Sequence, residues 1–125
     1  MRVLRADDTG ELELSGTPAE LLQLAQTLRS GAGLWRLDTT IDPAPYSRAL
    51  GSLESVEAAG ELAVSADLAS LRLAGDRDAR DALAATVTGF AEEGDLSAHL
   101  HIEYLPGHAY LSPRSEPLVI ALAAG

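Results

Sequence analysis

All three histidines of the chain lie in one segment, "HLHIEYLPGHAY", residues 99–110. His99, His101 and Glu103 alternate with apolar residues, and His108 follows a Pro-Gly turn. Because alternate residues of a β-strand share a face, the first three polar side chains are predicted to point together, away from the core. Imidazole and carboxylate are ligands that Zn²⁺, Fe²⁺ and Ni²⁺ accept, and same-face neighbours on a strand lie about 6.5–7 Å apart. One interpretation is therefore a metal site.

Two other interpretations of this strand stand beside the metal site, so no metal ligands are assigned. The strand face can simply be solvated and carry histidines without a ligand. It can also be a recognition surface, because histidine and tyrosine combine apolar area with hydrogen-bonding groups. Tyr104 and Tyr110 lie in the same segment as the histidines, whereas the single tryptophan, Trp35, is expected in the core.

Catalytic motifs are missing elsewhere in the sequence. There is no G-x-S-x-G motif, and "RSGAGLW" lacks the lysine and the spacing of a phosphate-binding loop. The chain has no cysteine, which excludes thiolate nucleophiles, disulfides and zinc fingers. Glu92, Glu93 and Asp95 lie at a predicted helix end, where they oppose the helix dipole and predict fraying. We therefore expect a protein that is not an enzyme and has no cofactor.

The charge balance narrows the class of partner. Nineteen acidic residues against nine arginines give a net charge of −10. Such a field repels phosphate backbones and speeds encounters with basic proteins, so no nucleic-acid partner is expected. The opening residues contain no apolar signal core, and "LVIALAAG" is far shorter than the ~20 residues of a membrane span. These features predict a cytoplasmic protein without a membrane partner. The chain contains arginine but no lysine and no asparagine, a composition that indicates a high-GC bacterial genome.

Local patterns predict two helices. Thr17-Pro18-Ala19-Glu20 combines a capping hydroxyl, a proline at the first helical position and a capping-box glutamate. A second helix is predicted from near Asp76 to Glu92, because acidic residues favour a helix start. The residues predicted to form the buried stripe of the second helix are Ala79, Leu83, Ala84, Val87 and Phe90.

The remaining segments predict strands. "RVLRA" and "ELELSG" indicate a hairpin with Leu12 and Leu14 facing inward, and "LVIAL" is typical of a central strand. "GLWRLDT" predicts another strand, and "IDPAPYSRALG" a surface connection. Three further strands are predicted to form a meander whose inward residues are Val56, Leu62, Val64, Leu71 and Leu73. The sum is an α+β domain of two layers, with a largely antiparallel sheet of about six to eight strands and two helices packed on one face.

An internal similarity suggests a duplication within this single domain of residues 1–125. "LELSGTPAELLQLAQTL" aligns with "LRLAGDRDARDALAATV" at an offset of 59 residues, which relates about 10–31 to 69–93. Each unit is predicted to be a strand, a glycine turn and a helix. Since this arrangement is common, convergence remains an alternative to duplication.

The C-terminal third resembles a known family. "HLHIEYLPGHAYL" followed by "SEPLVIAL" is similar to the Immunity protein 32 family, small bacterial proteins of polymorphic toxin systems, and "ELELSGTPAELLQLAQTL" adds a looser similarity. The resemblance implies a cytoplasmic protein without enzymatic activity that binds and neutralises a cognate toxin domain.

An acidic domain suits this role, because many toxins act on nucleic acids and are therefore basic. The predicted partner-binding residues are His99, His101, Glu103, His108, Tyr110, Glu54, Glu57 and Glu61. Replacing Glu57 and Glu61 with lysine is expected to slow association and flatten its salt dependence. Two alternatives stay open: a metal-binding protein or metal-dependent enzyme that uses His99, His101, Glu103 and His108, and an interaction domain that forms a homodimer.

Overall fold

The computed structural model describes residues 1–124, which form nine strands and two helices. In chain order these are β1 (Arg2–Arg5), β2 (Leu12–Gly16), α1 (Pro18–Ser30), β3 (Gly33–Arg36), β4 (Arg48–Ala49), β5 (Ser52–Glu57), β6 (Ala63–Ala66), β7 (Ser70–Gly75), α2 (Arg77–Glu93), β8 (His99–Ile102) and β9 (Leu118–Leu122). The α+β class predicted from the sequence is confirmed. Neither helix described in residues 1–124 is long and apolar enough to cross a membrane.

Helix α1 begins as its sequence predicts. The Thr17 hydroxyl accepts the backbone N–H of Glu20 at 3.2 Å, and the Glu20 carboxylate accepts the N–H of Thr17 at 3.0 Å. This reciprocal pair satisfies two backbone donors that the first turn leaves free. The side chains that α1 buries are Leu21, Leu24, Ala25 and Leu28.

Helix α2 begins at the predicted acidic cap and packs along α1. The Asp76 carboxylate accepts the N–H of Ala79 at 2.9 Å. All five predicted stripe residues are buried, together with Arg80 and Ala91. The helix continues through Glu93 and ends at Gly94, which adopts a left-handed conformation (φ 66°), and fraying of this acidic end remains a prediction.

The nine strands divide into two mixed sheets, whereas the sequence predicts a single sheet of about six to eight strands. The five-stranded sheet has the order β4-β1-β2-β9-β8, and the four-stranded sheet has the order β3-β5-β7-β6. Pairing is antiparallel except for β2 with β9 and β5 with β7, so the largely antiparallel character is confirmed among the described residues. The predicted hairpin is β1–β2, and β9 is central as expected. One continuous core joins the inner faces of both sheets to the helices.

Three details of the strand prediction are wrong: the order of the middle strands, the direction of Val56 and the absence of a strand after β3. The three middle strands do not form a meander, because β7 lies between β5 and β6 and pairs in parallel with β5. In β5 the buried residues are Leu53 and Ser55, while Val56 faces outward. The Ser55 hydroxyl donates to the Gly31 carbonyl at 2.8 Å, which explains how a serine takes the inward position. The connection after β3 also contains the two-residue strand β4, paired with β1.

Each helix connects one sheet to the other. Helix α1 follows β2 of the five-stranded sheet and leads to β3 of the four-stranded sheet, and α2 makes the reverse crossing from β7 to β8. Consequently, the hairpin β1–β2 pairs with β9, and the hairpin β6–β7 pairs with β5. Residues 2–57 and 63–122 therefore have related layouts, and the two parallel pairings, β2 with β9 and β5 with β7, join them. The duplication that would relate about 10–31 to 69–93 remains a prediction.

Candidate partner-binding surface

Strand β8 presents its two histidines to solvent, as the alternation predicts. His99 and His101 are exposed, whereas Ile102 is buried and Leu100 packs partly against the core. Glu103, which follows the strand, is also exposed. Within the described residues β8 has one neighbour, β9, so its other edge is free.

His108 has a structural role that the sequence did not indicate. Its Nδ1 accepts the backbone N–H groups of Tyr110 at 3.3 Å and Leu111 at 3.1 Å. The rings of His108 and Tyr110 are also in edge-to-face contact, with centroids 4.7 Å apart. His108 therefore fixes the turn that brings Leu111 into a bridge with Leu62.

The structure does not assemble the metal site considered above. Between residues 1 and 124, no group of three or more His, Asp or Glu side chains is arranged to hold a metal ion. The Nδ1 of His108 is already engaged with backbone donors. The metal-binding alternative thus gains no support from the geometry.

The three glutamates proposed with the histidines lie in different places. Glu54 lies on the outer face of the four-stranded sheet, with Oε1 3.9 Å from Nε of Arg72. Glu57 extends toward Arg80, with Oε1 3.5 Å from Nη2. Glu61 is exposed in the turn before β6. They do not form one acidic row.

Glu61 and Tyr110 instead lie on the same side of the beginning of α2. A surface cavity of about 340 Å³ is lined by both residues and by Asp76, Asp78 and Ala82 among others. Two predicted residues thus come together there with two further carboxylates. Tyr110 packs partly against the core, so its position is fixed by the fold.

A second surface cavity, which we call the α2–β8 groove, lies between α2 and the beginning of β8. It has a volume of about 380 Å³ and is lined by Ala85, Thr86, Gly89, Phe90, Glu93, Ala98, His99 and Leu100. Two exposed leucines flank the strand: Leu96 precedes it with 58% of its surface exposed, and Leu105 follows it with 64% exposed. Exposed apolar side chains around an open groove are typical of a contact surface.

The carboxyl end of α2 has an uncompensated negative charge. Glu92 and Glu93 lie in its last turn, which contains no basic residue. The helix dipole places further negative charge at this end. The hydroxyl of Ser97 and, to a smaller extent, its backbone N–H donate hydrogen bonds to the Asp95 carboxylate, which lowers the pKa of Asp95. This third carboxylate therefore also stays ionised.

Sequence reasoning missed Arg80, which is buried at the junction of the helices. Its Nη1 donates to the Leu28 carbonyl at 2.6 Å and its Nε to the Gly75 carbonyl at 3.1 Å. A signal was present, because Arg80 lies three residues before Leu83 on the buried stripe of α2. Leu96 and Leu105 were also missed, since Leu96 is a single apolar residue within a polar segment and Leu105 directly precedes the Pro-Gly turn.

Comparison with known proteins gives the family. The family model described as Immunity protein 32 matches residues 11–40 and 61–123. The chain belongs to the Immunity protein 32 family. The matched residues of this Immunity protein 32 member include both helices and β8, and hence the α2–β8 groove. The comparisons with curated proteins and with solved structures found no match.

Proposed function

We propose that this Immunity protein 32 member neutralises a cognate toxin domain in the cytoplasm by binding it directly, without catalysis. Membership of the family supports an immunity role in general. The observation that carries the finer proposal is the surplus of unpaired carboxylates at both ends of α2. It favours a toxin whose binding surface is basic.

The ion pairs of the chain leave most of its acidic side chains without a cation. Within residues 1–124, the carboxylates that lie within 4 Å of a cationic group are Asp7, Glu20, Glu54, Glu57, Asp81 and Glu116. Glu61, Asp76 and Asp78 at the start of α2, and Glu92 and Glu93 at its end, are outside this set and exposed. Both ends of α2 therefore carry carboxylates that have no ion-pair partner among the described residues.

Such a surface acts on a basic toxin in two ways. Its field attracts the toxin over several ångströms and raises the association rate, most strongly at low salt. Once bound, the carboxylates pair with the arginines and lysines that would otherwise contact phosphate groups. The toxin can then no longer bind its substrate.

Co-expression with the cognate toxin domain tests the proposal. We expect the wild-type chain to restore growth of cells that produce the toxin, and the purified proteins to form a complex. The double variant Glu61→Lys, Asp78→Lys should associate about tenfold more slowly at low salt. Glu57 is unsuitable as a probe, because it is paired with the buried Arg80.

The control variant is Asp8→Lys, Asp42→Lys, which changes the net charge equally but lies in the β1–β2 turn and the β3–β4 connection. Both of its positions are exposed. Stopped-flow association at two salt concentrations should show a much smaller effect for this control. Equal effects of the two variants would contradict a role for α2, and no complex with the wild-type chain would contradict the proposed function.

A further inference from the structure

We infer that the α2–β8 groove receives an extended, basic segment of the toxin, which adds as a strand to the free edge of β8. The inference rests on the proposed function and specifies its contact site. It depends on three features of the groove: an open strand edge, space for an apolar side chain, and an unpaired negative charge.

The strand edge is the first feature. An outermost strand leaves backbone N–H and C=O groups free on one side, and proteins usually protect such edges with proline, lysine or a bulge. The sequence of β8, "HLHI", contains none of the protecting residues. An extended peptide that pairs with such an edge gains backbone hydrogen bonds along its length.

The other sheet edges fit a basic strand less well. Strand β4 has only two residues. The outer side of β6 is already bonded to the chain, since Val64 donates its N–H to the Ser115 hydroxyl at 3.0 Å and accepts the N–H of Glu116 at 2.9 Å. Strand β3 is open but carries the exposed cation Arg36. Within residues 1–124, β8 is thus the edge that best suits a cationic segment.

The space beside β8 is the second feature. Gly89 lies on the exposed side of α2 within the groove, and a Cβ atom built on it meets no other atom within 4 Å. Leu100 and Phe90 line the same groove, and Leu96 and Leu105 lie exposed before and after the strand. An apolar side chain of an added strand can therefore be buried between α2 and β8.

The charge is the third feature. Glu93 lines the groove, and Glu92 lies beside it in the last turn of α2. Among residues 1–124, neither has a cationic group within 4 Å. Carboxylates at a helix C-terminus are unfavourable in the isolated protein, and an arginine or lysine from a partner would relieve this repulsion.

Filling the groove tests the inference. Gly89→Trp places a large side chain in the open space, and the matched control Gln26→Trp adds the same side chain to an exposed position of α1. Titration calorimetry with the toxin domain should show at least a tenfold weaker Kd for Gly89→Trp and an unchanged Kd for Gln26→Trp. A second variant, Glu92→Gln with Glu93→Gln, should weaken binding and reduce its salt dependence without filling the groove.

Hydrogen exchange locates the added strand independently of any variant. In the wild-type complex, we expect the backbone amides of residues 99–102 to exchange more slowly than in the free chain. Protection confined to β3 or β6 would overturn the inference but not the proposed function. The same holds if Gly89→Trp and the double glutamine variant both bind the toxin like wild type. A wild-type chain that does not bind the toxin overturns both proposals.

Light scattering of the chain alone tests whether a second copy of the chain fills the groove instead. If a second copy filled the groove, the chain would be a dimer that Gly89→Trp converts to a monomer. This result, together with unchanged toxin binding by Gly89→Trp, would also overturn the inference.

Discussion

At the scale of single residues, Tyr46 shows how the long connection after β3 is attached to the five-stranded sheet. Its hydroxyl donates to the Glu13 carboxylate in β2 at 2.8 Å. Burial, then the hydrogen bond to Glu13 and its charge, raise the pKa of Tyr46 to about 12, from 10.0 for an unperturbed tyrosine. The folded protein therefore holds this phenol in its neutral form.

This raised pKa predicts a loss of stability in alkali. A group whose pKa is higher in the folded state contributes its full stabilisation below the unfolded pKa of 10.0 and loses it as the pH rises toward about 12. Urea unfolding at pH 9 and pH 11 should show a larger drop in the free energy of unfolding for wild type than for Tyr46→Phe. Parallel losses in the two proteins would contradict the assignment.

Residue positions set by local rules could be predicted from the sequence, and those set by distant contacts could not. The caps at Thr17 and Asp76 depend on a few neighbouring residues, and the exposure of His99 and His101 follows from the period of a strand. By contrast, the role of His108 depends on how a turn folds back on itself. Alternation of residue types contains no information about that geometry.

At the scale of elements, Arg80 joins α2 to the carboxyl ends of α1 and β7. Only 4% of its side chain is exposed, and its guanidinium donates to the carbonyls of Leu28 and Gly75. Carbonyls at the end of a helix need such donors, because no further helical N–H reaches them. The arginine thus stabilises the junction at which both helices cross between the sheets.

We expect Arg80→Met to lower the free energy of unfolding by about 2–3 kcal/mol, because the carbonyls that Arg80 satisfies lose their donors. Arg80→Lys should recover only part of this loss, since an ammonium group lacks the planar fork. The control is Arg77→Met, one turn away with 83% of its side chain exposed, for which a change within about 0.5 kcal/mol is expected. Urea unfolding measures all three variants, and equal losses at the two positions would refute this role.

Most elements were predicted, but the pairing of the middle strands was not. The existence of β5, β6 and β7 followed from alternation, yet the order β5-β7-β6 did not. A meander is the default for consecutive short strands, because sequential strands usually pair. Here β6 and β7 form a hairpin of their own, and β5 joins β7 in parallel. Which strand lies beside β5 depends on contacts between distant parts of the chain.

At the scale of the whole molecule, the crossed connections make each half depend on the other. Strands β2 and β7 each find their parallel partner in the opposite half, and α1 packs along α2. A half on its own would leave an open sheet edge and an uncovered apolar helix face. Its burial of apolar surface would be too small to offset the loss of conformational entropy.

Cutting the chain in the exposed turn at Ala59–Gly60 tests this dependence. We expect residues 1–59 and 60–125 to be largely unfolded when separate and to form a 1:1 folded complex when mixed. Circular dichroism and native mass spectrometry would measure both states. A fragment that folds cooperatively alone would show that the halves are independent.

The same turn offers a route to exchange between molecules. Two chains that open there can each donate a half to the other and re-form all the strand pairings that join the halves, now as an interlocked dimer. Such a dimer would carry two complete copies of the surface beside β8. Concentrated stocks stored for long periods would then contain a bivalent species, whose apparent affinity for an immobilised toxin exceeds that of the monomer through avidity alone.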